Sequence, residues 1–175
     1  VLSEMGPARR PAKAPEGAGE VERLGTEVVH KQAMLSLDKA YSDDELQKWT
    51  AKVRGDLLAM PKVDGVACSM HFDADGAFHL AATRGDGERG DDVTANVRAA
   101  GLVPQRSGAV RGCEVRGEIF MTRSRFREAW AGQFANARNL TAGAIKQKDP
   151  EKCRAYGLSF MADDVRGLDL PTEGA

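Results

Sequence analysis

Apolar residues recur along the chain at two spacings. From Val66 to Phe72 they alternate, with Val66, Cys68, Met70 and Phe72 on one side and Ala67, Ser69 and His71 on the other, which predicts a half-buried strand. The run Leu57 to Met60 ahead of it predicts another strand, with Lys62-Val63-Asp64-Gly65 as the tight turn between the two. Asp73-Ala74-Asp75-Gly76 predicts a hairpin leading to a return strand that sets Phe78, Leu80 and Ala82 on one face. Glu114 to Met121 predicts a further strand, in which Glu114, Arg116 and Glu118 share a face; three charges there are costly unless the face is wet or lines a polar site. Tyr156 to Met161 predicts the last strand, and 163–175 reads as turn residues.

Helical spacing appears between these strands. Ser42-Asp43-Asp44-Glu45 is a capping box, the hydroxyl and the distal carboxylate each satisfying the other's backbone amide. The helix it opens carries Leu46, Trp49 and Val53 on one stripe and is expected to stop at Gly55. Just before it, Met34-Leu35-Ser36-Leu37 is a short non-helical approach whose backbone groups are open to a ligand. Asp91 or Asp92 caps a helix beginning at Asp92-Val93-Thr94-Ala95-Asn96-Val97. Thr122 caps another that carries Phe126 and Trp130.

Two polar stretches each admit two readings. Thr83 to Asp92 is either an exposed turn with mixed charge or a loop whose glycines let backbone approach a ligand closely. Phe134 to Gln147, mostly small residues with Arg138 and Lys146 standing out, is either a close-packed helix or a backbone that approaches a phosphate chain, with the two cations contacting it.

Composition bounds the class. The chain has 175 residues, 42% hydrophobic and 29% charged, with a formal net charge of −1, which fits one soluble domain with a core. Residues 1–25, rich in Pro, Gly, Ala and charge, read as a flexible arm or linker, and 26–175 as the folded domain. Near neutrality argues against a surface that binds nucleic acid everywhere, though a local basic face is compatible with it. Cys68, Cys113 and Cys153 are too far apart for a Cys-x-x-Cys zinc site or a disulfide framework, and point to buried thiols in a reducing cytoplasm. No apolar run approaches the ~20 residues of a membrane span, and the start lacks the apolar core of a signal peptide. The opening valine predicts processing, truncation or an alternative start.

The candidate chemistry begins at Lys62. By itself it reads either as a solvated lysine in a common Asp-Gly turn or as an amine sharing a pocket rim with Asp64. Its company decides between them. Ser36-Leu37-Asp38, Lys62-x-Asp64-Gly65, Thr83-Arg84-Gly85-Asp86-Gly87, Asp92-Val93-Thr94-Ala95-Asn96, Val115-Arg116-Gly117-Glu118 and Arg138-Asn139-x-x-Ala142-Gly143 occur in one order and spacing. Together they resemble the adenylation domain of bacterial NAD-dependent DNA ligases, from about His30 to Met161.

That resemblance implies an α+β nucleotidyltransferase core, antiparallel sheets with flanking helices around a nucleotide cleft, here incomplete at the C-terminus. It implies that Lys62 attacks the α-phosphorus of NAD, expels nicotinamide mononucleotide and holds AMP as a phosphoramide, with Mg2+ assisting. An ordinary lysine titrates near ~10.4, so the neutral amine must be favoured by desolvation or neighbouring charge. The AMP then passes to the 5′-phosphate of nicked duplex DNA, and the nick is sealed in replication and repair. By the same carry-over Ser36 and Leu37 meet adenine, Met60 stands at the adenine-reading position, Arg84 holds the nucleotide and Glu118 the ribose. Arg138 and Lys146 meet DNA or nucleotide phosphate, and no residue is assigned as a metal ligand.

The departures define a second expectation. Met60 stands where the family carries glutamate, Asp91 where glutamate is usual, and Ala137 where proline is usual. The chain ends before the family's later lysine motifs and contains none of its zinc, oligonucleotide-binding or helix-hairpin-helix domains. The rival reading is therefore a non-catalytic remnant that binds nucleotide or DNA.

Overall fold

A computed structural model describes residues 23–24 and 26–168. Most of the arm expected over 1–25 lies outside the described residues, as do the turn residues beyond 168. The described residues fall into two compact units, Leu35–Lys62 and a larger one made of 23–24, 26–34 and 63–168.

The larger unit is built on a four-stranded antiparallel sheet ordered β4-β3-β6-β7, with β3 at Val66–Phe72, β4 at Phe78–Thr83, β6 at Glu114–Phe120 and β7 at Ser159–Arg166. Strands β3 and β6 are the two inner ones. One face carries Cys68, Met70, Phe72, Val115 and Ile119. It is closed by helices α2 (Thr94–Ala99), α4 (Ala137–Ile145) and α5 (Pro150–Ala155), which bury Val97, Leu140, Ala144, Ile145 and Cys153 in the same core, while α3 (Arg123–Ala129) follows β6 on its Thr122 cap. Burying such side chains supplies ~2 kcal/mol each.

The half-buried strand expected at Val66 to Phe72 is buried on both faces from Cys68 onward. The reason is a second layer. Strand β2 (Glu27–Val29), paired with β1 (Arg23–Leu24) and β5 (Arg89–Asp91), forms a small antiparallel sheet, and its Val28 packs with Leu80 and Ala82. The segment after β2 is held on the same side. His30 Nε2 donates to Thr83 O at 3.0 Å, the Met34 amide donates to Gly87 O, and Arg116 donates to Gln32 O at 2.6 Å and Ala33 O at 3.2 Å. Two of the three charges expected on one face of β6, Glu114 and Arg116, thus meet a covered, polar interior, while Glu118 is half-buried. Arg116 spends its Nε on Glu114 at 2.6 Å and its remaining nitrogens on those carbonyls, leaving both charges buried and paired.

Other expectations shift for local reasons. Phe78 leaves the face of Leu80 and Ala82 and joins the main core beside Phe72, because the β3–β4 register slips between His71 and Phe72. The polar loop Thr83 to Asp92 contains β5, a strand that Gly90 permits: a Cβ there would lie 1.6 Å from Thr83 O. Asp163 to Arg166, expected as turn, continue β7 past a bulge opposite Arg116 and Gly117. Helix α5 starts on the Asp149 cap with Pro150 in its first turn, a start signal the apolar spacing does not reveal.

The smaller unit holds helix α1 (Asp43–Thr50). Its box forms one residue offset: Ser42 Oγ accepts from the Glu45 amide, while the Glu45 carboxylate reaches the Tyr41 amide at 2.7 Å. The helix ends at Thr50 rather than running to Gly55. Leu57 to Met60 is irregular and exposed rather than a strand. A strand requires a pairing partner, and the described residues of this unit contain none.

Candidate functional site

The site residues of the larger unit converge on one end of the four-stranded sheet. Gly65 opens β3 against the backbone of β6 so closely that a Cβ would stand 2.0 Å from Ile119 O. That contact brings its amide to Glu118 Oε1 at 3.0 Å. Glu118 pairs with Ala67 across the β3–β6 ladder, and on the other side the Arg84 amide donates to Ala67 O at 2.9 Å. Arg84, directly after β4, Ala67 on β3 and Glu118 on β6 thus form a row, bordered by Gly65. The position expected to meet ribose and the one expected to hold the nucleotide share this row.

Two cations stand at the two ends of α4, and each has an acid. Asn136 caps the helix by accepting from the Asn139 amide, and Arg138 in the first turn donates Nη1 to Asp64 Oδ1 at 2.8 Å. This bond holds the Arg138 guanidinium more firmly charged than usual. At the other end Lys146 Nζ lies 2.6 Å from Asp91 Oδ2, and the ammonium holds the Asp91 carboxyl below the usual carboxylate range. The eight-residue separation spans ~12 Å along the helix axis. Both pairs are open to solvent, so they orient the cations more than they stabilise the fold.

The loop between β4 and β5 is closed on itself. Asp86 Oδ1 accepts from the amides of Glu88 and Arg89, which lowers its carboxyl pKa, and the Gly87 amide returns to Arg84 O. Beside it lies an open depression of about 320 Å³ lined by Glu27, Gly85, Asp86, Arg89, Gly90 and Asp91. Three carboxylates in that lining make it a poor seat for phosphate, and none of the residues expected to touch nucleotide belongs to it.

Ser36, Leu37, Met60 and Lys62 belong to the smaller unit, in irregular backbone, and all four are exposed. Met60 is 51% exposed, so its thioether does not serve a core. Sequence reasoning placed Asp64 on the turn rim and gave no role to Asn96. The structure gives Asp64 a cation and makes Asn96 a buried donor to two carbonyls. An asparagine between Ala95 and the buried Val97 was the available signal.

An antiparallel core flanked by short helices, with Asp64-Gly65 leading into β3 beside the Arg84–Ala67–Glu118 row at one sheet end, defines an α+β domain of the nucleotidyltransferase type. Comparison with known proteins narrows this. The family model described as the NAD-dependent DNA ligase adenylation domain matches residues 25–173, and the chain belongs to that family. It is 41% identical over 155 positions to a DNA ligase of Azorhizobium caulinodans, covering 77% of this chain and 21% of that protein. It is 39% identical over 183 positions to a DNA ligase of Rhodospirillum rubrum (91% and 26%) and 36% identical over 194 to one of Frankia casuarinae (99% and 27%). The chain therefore spans about a quarter of the length of these relatives.

Proposed function

We propose that this chain is the nucleotide-charging part of a DNA ligase that takes AMP from NAD onto Lys62 and delivers it to a nicked duplex. The supporting observation is the row Arg84–Ala67–Glu118 at the sheet end where Asp64-Gly65, which follow Lys62 in the motif, lead into β3. In the charging step the Lys62 nitrogen forms a bond to the α-phosphorus, the bond from that phosphorus to the bridging oxygen breaks, and nicotinamide mononucleotide leaves as the amine gives up its proton to solvent. Ser36 and Leu37 meet adenine, Arg84 holds the nucleotide, Glu118 the ribose, and Arg138 and Lys146 phosphate. Met60 occupies the adenine edge without a strong acceptor.

Mg2+ fits such a site, since it keeps several waters and takes one or two carboxylates together with substrate phosphates. Among the described residues there is no cluster of three or more candidate ligands, so the ion would arrive with the phosphates and neutralise their charge. Three free buried cysteines support a reducing cytoplasm as the setting. Among the described residues no helix is long and apolar enough to cross a membrane.

The reading is tested by donor choice. NAD labelled in its adenylate half should label the chain in Mg2+ with equimolar release of nicotinamide mononucleotide, and labelled ATP should not. A chain that takes no label from NAD, or takes it equally from ATP, overturns the reading.

A further inference from the structure

We infer that Asn96 is a positioning residue for Lys146, fixing that cation for a phosphate oxygen of the nicked duplex. The inference rests on Lys146 meeting phosphate, as proposed above. Helix α4 ends at Ile145 with Lys146 as its cap residue, and the last carbonyls of any helix have no acceptor-satisfying amide within it. Ile145 is fully buried, so water is a poor substitute there. Asn96, buried in α2, donates its side-chain amide to Ile145 O at 2.6 Å and to Gln147 O at 2.9 Å. Those carbonyls flank Lys146 on either side. Pinning both fixes the backbone of Lys146 and hence the direction in which its side chain leaves.

The far end of that side chain is fixed as well. Its Nζ rests 2.6 Å from Asp91 Oδ2. Asp91 is in turn tied to the buried Thr83, donating its amide to Thr83 Oγ1 at 3.0 Å and accepting from the same hydroxyl at 3.3 Å. Thr83 directly precedes Arg84. Asp91 and Asn96 lie five positions apart in one segment, so this short stretch holds Lys146 at both backbone and ammonium, and anchors it to the strand that delivers Arg84. A bare helix cap would require only one of these contacts. A lysine otherwise free to sample many rotamers reaches phosphate already ordered, which lowers the entropy lost on binding.

The test is an NMR-followed titration of the chain with a 5′-phosphorylated nicked duplex at low salt, for wild type, Lys146→Ala, Asn96→Ala, Arg138→Ala and the paired variants. Lys146→Ala should weaken binding about tenfold, the scale of one charged hydrogen bond, and flatten the slope of log affinity against log salt by about 0.9. Asn96→Ala should weaken it about fivefold, add nothing when Lys146 is already alanine, and multiply fully with Arg138→Ala. A full Asn96→Ala effect on top of Lys146→Ala overturns the positioning role while leaving Lys146 its phosphate. No loss in Lys146→Ala overturns the phosphate reading and this inference with it. Should Asn96→Ala fail to fold, wild type and Lys146→Ala carry the test. The Asn96 side-chain amide resonances should shift with added duplex in the first and stay still in the second; shifts in both, or in neither, overturn the inference.

Discussion

Gly65 shows how little room the turn has. A methyl group at that position would meet Ile119 O at 2.0 Å, so β3 and β6 would have to part, and the Gly65 amide would leave Glu118. Gly65→Ala should therefore destabilise the chain by about 2 kcal/mol, the scale of overpacking in a close contact, measured by urea unfolding; a loss below ~0.5 kcal/mol would show that the sheet end yields. Met60 is a different kind of position, exposed and bearing only a weak acceptor. Met60→Glu should tighten AMP binding by about 1 kcal/mol, one net hydrogen bond, by calorimetry. An unchanged affinity would mean that adenine is not read there. Lys62, Asp64, Arg84, Glu118 and Arg138 stand out in the sequence as candidates because their motifs come in fixed order, and Lys146 because it is a cation among small residues. Their partners do not, because Asp64 with Arg138 and Asp91 with Lys146 pair over separations of 74 and 55 residues that local spacing does not encode.

Elements were legible where one run of sequence carries its own signal. Val66 to Phe72 and the Glu114 strand follow from alternation, and the helices behind Ser42 and Thr122 from caps; the cap expected at Asp91 or Asp92 does not form, because Val93 holds the N-cap position of α2 and makes no side-chain cap bond. Asp92, one residue earlier, accepts from the Thr94 amide at 2.9 Å. What alternation cannot show is a second layer on the far face of β3. That layer buries Ser69 and His71, and the His71 imidazole pays for it: burial pushes its pKa down to about 4, against a weaker upward pull from Glu114. The folded chain thus keeps His71 neutral where an unfolded one, titrating near 6.5, binds a proton. The associated stability is complete above pH 6.5 and falls as pH drops through the window down to about 4, by roughly 3 kcal/mol in all. The carboxylates held low, Asp86 and Asp91 among them, lose their contributions only at more acidic pH. Urea midpoints at pH 7 and pH 5 should differ for the wild type and much less for His71→Gln; equal differences in the two would show that His71 does not set the pH dependence.

At the scale of the molecule, the chain corresponds to about a quarter of its relatives, DNA ligases of 36–41% identity. Charging Lys62 and sealing a nick make different demands on it. Sealing needs the 5′-phosphate, the 3′-hydroxyl and the adenylate in line, and such positioning supplies much of the rate in phosphoryl transfer. The 175-residue chain has a net charge of −1 to offer a polyanion, so its hold on duplex should be weak and fall with salt. It should leave nicked duplex open even when the nick is pre-adenylylated; robust closure at low salt would show the core to be a competent ligase by itself. Charging itself comes down to one nitrogen. After incubation with NAD and Mg2+, proteolysis and mass spectrometry should find one adenylyl group on the peptide containing Lys62, and none on any peptide of Lys62→Ala. An adenylyl group on another lysine, or one that persists in Lys62→Ala, would contradict it.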